Sequence, residues 1–234
     1  AVVLLARQGM IDADAAAPDG ATPLSLEQAM DVANEKLEAG LSKLLDVKME
    51  LQLRQNFLIA ALHCAYPIFT APGGVTRTIC GLTLPGHPQI PNSDDEMVSS
   101  ALGHACHLVS LMAKYSNVYL RYQPIPIASR SLMRDKVLGV TRTNSKDGSD
   151  FPLFLKGQDR SRVQYAVQML SRDVEQLLAA HGLVAVDPSV QMTPNGPQST
   201  ILANLQYIVV TCRQRLFEAL GGFDAFSSLD SAAV

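Results

Sequence analysis

Methionine or leucine stands at positions 30, 37, 44, 51 and 58, seven residues apart each time. Three residues after each come Ala33, Gly40, Val47, Arg54 and Ala61. One core position of a heptad is therefore strongly apolar, and the other is small or mixed. A repeat sustained over about four heptads argues for a coiled-coil helix. Its seam would be Met30, Leu37, Leu44, Val47, Leu51 and Leu58. Leu41, Leu45 and Leu62 widen the stripe towards that of an amphipathic helix lying on its own domain. Both readings place one long helix over residues 24–64, too long to bury its seam against itself, so a partner helix is expected.

The flanks of that helix differ in kind. Residues 1–23 read as a linker or the remnant of a preceding region, because "DADAAAPDGATP" is small, acidic and turn-rich. The opening "AVVLLARQGM" holds Arg7 and is far too short an apolar run to span a bilayer. It lacks an initiator methionine, as a fragment of a longer protein would. The C-terminal residues 223–234 read as a flexible tail in which Phe223 and Phe226 are candidates for membrane contact. Between helix and tail, residues 65–222 are expected to form one α+β domain. The chain of 234 residues is 47% hydrophobic, which suffices for such a core. A net charge of −3 gives no basic face for nucleic acid. Cys64, Cys80, Cys106 and Cys212 are widely spaced with no CxxC pair, as reduced core cysteines of a cytoplasmic protein would be.

Within 65–222, "AYPIFT" and "TRTICGLTLPG" have strand character and flank the turn signal "APGG", which suggests a hairpin. Ser93 and Glu96 have the spacing of a capping box before a helix over about 95–115, with Val98, Ala101, Ala105, Leu108, Leu111, Met112 and Tyr115 on one broad face. "VYLRYQPIPIASRSLMRD", residues 118–135, reads as two adjoining strands with prolines at the bend. Residues 139–150 read as a polar, mobile loop and "FPLFL" as a short strand. Asp159 caps a helix running to His181, which Gly182 stops, and a last helix covers about 198–220 before Gly221 and Gly222.

Each chemistry-bearing cluster has a plainer role beside the functional one. His104, Cys106 and His107 in "HACH", with His63 and Cys64, are the most metal-like set, but their spacing does not supply a full ligand shell, and structural roles account for them. Ser129 and Ser131, beside Arg130 and Arg134, suggest a nucleophilic or anion-binding loop. No glycine-serine-glycine elbow surrounds either serine, and local backbone bonding explains both. Asp94, Asp95 and Glu96 suit a helix N-terminus without a cation. No dinucleotide or phosphate-loop motif is present. The expectation is a protein that is not an enzyme and needs no cofactor.

The order of local motifs resembles a known family. "YPIF" at 66–69 is followed by "ICGLTLP" at 79–85, "ALGHACHLVSLMAKY" at 101–115, "VYLRYQPIPIASRSLMRD" at 118–135, "FPLFLKG" at 151–157 and "AVQMLSRDVEQLLAAHGL" at 166–183. This series is similar to the UVRAG family, including its fungal and plant vacuolar-sorting counterparts, and more loosely to the autophagy-specific Barkor subunit. The resemblance implies a coiled coil followed by a β-α-repeated (BARA-like) domain. It implies a non-catalytic scaffold and targeting subunit of the class III phosphatidylinositol 3-kinase complex. Its implied partners are a Beclin-type coiled-coil subunit, the lipid kinase, and that kinase's regulatory kinase-like subunit. The implied location is cytoplasmic, peripheral on endosomal and autophagic membranes, with roles in endosomal sorting and autophagy.

Overall fold

The computed structural model describes residues 25–70, 77–84, 95–135, 149–184, 192–193, 196–197 and 200–220. Four α-helices and three small antiparallel sheets make up these residues, an α+β chain as expected. Compactness divides it into two units, with the break between Met49 and Glu50 inside the first helix.

That helix, α1, spans Leu26–Ala65. Ser25 and Gln28 start it as a reciprocal capping box: Gln28 N–H donates to Ser25 Oγ at 3.3 Å, and Ser25 N–H to Gln28 Oε1 at 3.1 Å. In the last turns the buried pair is Ile59 and Leu62, not the heptad positions 58 and 61. Leu58 is half-buried and Ala61 exposed. A strict heptad drifts about 20° per repeat against a straight helix, so by its fifth repeat a single stripe no longer follows one face.

Strands β1 (Ile68–Thr70), β2 (Arg77–Ile79) and β3 (Leu82–Leu84) form the first sheet in that order. "TRTICGLTLPG" is therefore two strands rather than one. Ile79 pairs with Leu82 across a two-residue loop in which Cys80 and Gly81 have φ of 51° and 77°. Positive φ at both loop positions is the primed hairpin turn that matches strand twist. Ile68, Ile79 and Leu84 send their side chains into the core.

Helix α2 (Asp95–Ser116) lies at the centre, packed on β3 and on the elements that follow. Its buried face is wider than the expected stripe and takes in Leu102, Gly103, Cys106 and Val109. It ends where Asn117 adopts φ 54°, and Val118 N–H reaches Ala113 O at 2.9 Å. That is a Schellman closure with asparagine at the left-handed position. Ser93, Asp94 and Gly221 to Phe226 lie outside the described residues, as do 139–148 of the expected loop.

The second sheet orders β4 (Gln123–Ile125), β5 (Leu132–Arg134) and β6 (Asp150–Pro152). Pro124 and Pro152 both sit on edge strands, where a missing N–H costs least. "VYLRY" is not the strand its composition suggests; β4 begins only at Gln123. Side chains of the next helix, α3 (Arg160–Ala180), hold that segment instead of a ladder. Asp173 Oδ1 accepts from Tyr122 N–H at 3.2 Å, Gln176 Oε1 from Arg121 N–H at 3.0 Å, and Gln176 Nε2 donates to Tyr119 O at 2.7 Å. "FPLFL" likewise is strand only to Pro152, after which Leu153 and Leu155 turn into the core.

Helix α3 begins at the expected cap: Asp159 accepts from Ser161 N–H at 3.0 Å and from Ser161 Oγ at 2.8 Å. Those two bonds hold its carboxyl below the usual range. Gly182, φ 69°, closes the helix, and Leu183 N–H bonds Leu178 O at 2.9 Å. Two short strands, β7 (Met192–Thr193) and β8 (Gly196–Pro197), precede α4 (Thr200–Ala219), whose Ile201, Leu202, Leu205, Ile208 and Cys212 complete the core.

Candidate functional site

The first candidate surface is the N-terminal part of α1. Met30, Leu37, Leu44, Val47 and Leu51 are 55–63% exposed, and Leu41, Leu45 and Met49 stand exposed beside them. Large apolar side chains at this exposure on one helix leave uncovered about 1–2 kcal/mol apiece of burial free energy. Lys36 and Lys43 occupy the position before the strongly apolar one, and Lys48 follows Val47, so the seam is edged with positive charge in its middle repeats. All three are exposed.

The histidine and cysteine candidates fall apart in space or are otherwise engaged. His107 Nδ1 lies 2.6 Å from the Tyr66 hydroxyl, and the Tyr66 ring meets His104 and His107 at centroid distances of 6.1 and 5.6 Å. Burial, then Cys80 and Tyr115, raise the Tyr66 hydroxyl's pKa. Cys106 is buried, its thiol pushed up to about 12 chiefly by desolvation, so it is an inert core sulfur. His63 stacks edge-on to Phe69 at 5.9 Å, and Cys64 is exposed. Among the described residues no three His, Cys, Asp or Glu side chains are grouped to hold a metal ion.

The serine-arginine loop resolves into architecture. Ala128–Arg130 form a 3-10 turn with Ala128 at φ 45°. Ser131, buried, donates to Ala128 O at 2.8 Å and accepts from Ile127 N–H at 2.9 Å, clamping the turn. Ser129 is exposed on it. Gly103 of α2 faces this turn so closely that a Cβ would overlap the Ala128 carbonyl. Arg134 is bound two-pronged to Asp150, at 2.6 and 2.9 Å, across β5 and β6. That ion pair holds the Asp150 carboxyl below its usual range.

Two polar features escape the sequence reading. Asp173 is fully buried, and among the described residues its Oδ2 has no hydrogen-bond partner. Desolvation pushes its pKa up to about 7 against the pull of the Tyr122 N–H. The second is a cleft of 440 Å³ lined by Gln52, Gln55, Asn56, Ser116, His181 and Arg215. Ser116 Oγ lies 2.9 Å from His181 Nε2, and Cys212 Sγ lies 4.0 Å from Nδ1. Burial first, and Arg215 second, hold His181 below its ordinary pKa and therefore neutral at pH 7. A sulfur stands where a triad would have a carboxylate, so nothing here tunes Ser116 as a nucleophile. The signal available in sequence was the amide trio at 52, 55 and 56, spaced to share one face of the helix away from the heptad core positions.

No family model matches the chain. It is 31% identical over 143 residues to the UV radiation resistance-associated protein of the mouse, a match covering 61% of this chain and 20% of that protein. The chain thus spans about a fifth of the length of the relative it matches and is related to it over that stretch.

Proposed function

We propose that this chain is a UVRAG-like, non-catalytic component of the class III phosphatidylinositol 3-kinase complex, and that α1 pairs with the coiled coil of a Beclin-type subunit. The observation that carries this reading is the exposed seam Met30, Leu37, Leu44, Val47 and Leu51, at heptad spacing on a 40-residue helix. The similarity to the mouse protein supports the same assignment. Leu58 is the seam's last member, where α1 turns to its own core. The lysine edge gives the partner's chemistry. In a parallel pair of identical chains Lys43 would face Lys48 of the other copy, which disfavours self-pairing. A partner with Glu or Asp at its flanking positions meets that edge favourably.

The domain that follows repeats sheet then helix: β1–β3 with α2, β4–β6 with α3, β7–β8 with α4. That order supports a β-α-repeated domain of the BARA kind. Its role is to scaffold and target the kinase with its regulatory kinase-like subunit, in endosomal sorting and autophagy. The protein acts as a cytoplasmic, peripheral membrane component; among the described residues no helix is long and apolar enough to cross a bilayer. Phe223 and Phe226 are proposed as its membrane contacts. Co-purification with a Beclin-type coiled coil tests the pairing: the parent chain should be retained, and Leu44→Asp with Leu51→Asp should not. Retention of the double variant at parental level would overturn it.

A further inference from the structure

The polar cleft between the ends of α2 and α3, the middle of α1 and the last turns of α4 is not used by helix pairing. Its lining carries one full charge, Arg215, and no carboxylate. His181 adds none, being neutral. Arg215 Nη2 donates to His181 O at 3.0 Å, which fixes the guanidinium at the rim while using one of its five donors. His181 is itself pinned by Ser116. Across from them, Gln52, Gln55 and Asn56 present three primary amides from adjacent turns of one helix. An amide offers both donor and acceptor, the complement of a peptide main chain. A volume of 440 Å³ admits a short peptide rather than a single small ion.

We infer that this cleft docks an acidic peptide segment, with a Glu or Asp carboxylate on Arg215 and its main chain read by Gln52, Gln55 and Asn56. One cation among neutral donors matches a single carboxylate charge better than the near-double charge of a phosphate group. The cleft's lining shares no residue with the seam on α1, so substitutions in the seam leave its side chains in place.

The test is a titration of the ¹⁵N-labelled full chain with acetyl-Ala-Glu-Ala-amide, followed by amide shifts. Saturable shifts at Gln55, Ser116 and Gly182 are expected, and the peptide with Gln in place of Glu should bind about tenfold more weakly. Arg215→Gln should weaken the Glu peptide by about the same factor, with Arg215→Lys in between. Equal affinity for the Glu and Gln peptides would overturn the proposal, and that comparison needs no variant. Absence of saturable shifts, or tighter binding of inorganic phosphate than of the Glu peptide, would overturn it as well.

Discussion

Asp173→Asn isolates a fully buried carboxyl that the fold leaves half-satisfied. In the native chain Asp173 titrates near 7, against 3.8 when solvated. Between those values the folded state holds a proton that the unfolded state has released. Stability therefore falls as pH rises through this window, by about 1.4 kcal/mol per pH unit, and is level on either side. From pH 5 to pH 8 the loss amounts to about 2–3 kcal/mol, an upper value because relaxation around the charge reduces it. His181 works in the opposite sense: its folded pKa is lowered, so its contribution is present above its unfolded value near 6.5 and is lost as pH falls. Asparagine keeps an acceptor for the Tyr122 N–H and removes the titration. Urea unfolding of both chains at pH 5, 6, 7 and 8, taken as a difference, cancels His181 and every other shared group. The difference should move in favour of the Asp173→Asn variant by about 2–3 kcal/mol across that range. Parallel curves would refute the argument, and would mean that water reaches Oδ2.

Gly103→Ala should lower stability by about 1–3 kcal/mol through overlap with the Ala128 carbonyl, read as a fall in Tm of several degrees. Gly40→Ala, with open space around its Cβ on an exposed helix, should raise the stability of α1 by about 0.5–1 kcal/mol, read as increased helicity by circular dichroism. Arg134→Met should cost only about 0.2–1 kcal/mol at pH 7. That cost should vanish as pH falls below the solvated Asp value of 3.8, because the pair lowers the Asp150 pKa, and urea titrations at pH 7 and pH 3 would check it.

What was legible in sequence was local. The Asp159 cap, the Gly182 stop and the boundaries of α2 and α3 arise from residues within a turn of one another, so pattern alone places them. The heptad gives α1 its length for the same reason. Two strand assignments failed, one where a distant element competed and one where a tight turn went largely unsignalled. "VYLRY" has strand composition, but its backbone bonds go to Asp173 and Gln176, more than fifty residues on. The hairpin inside "TRTICGLTLPG" was hidden because Cys80 is an unusual residue for a left-handed turn position, and only Gly81 signals it.

The sequence by itself determined a long helix with an apolar seam, a mixed α+β domain, and a loop serine, Ser131, bonded to its own turn. Periodicity and capping act over a few residues and leave their record in the chain. Tertiary structure alone decided which part of that helix stays open, with Leu51 exposed while Ile59 is fully buried. It also brought Ser116 to His181 across 65 positions of chain and set Arg215 beside them. Burial and charge proximity are properties of the packed state. Asp173 reads in sequence as one more surface acid on a helix, and the fold alone makes it the group whose proton matters.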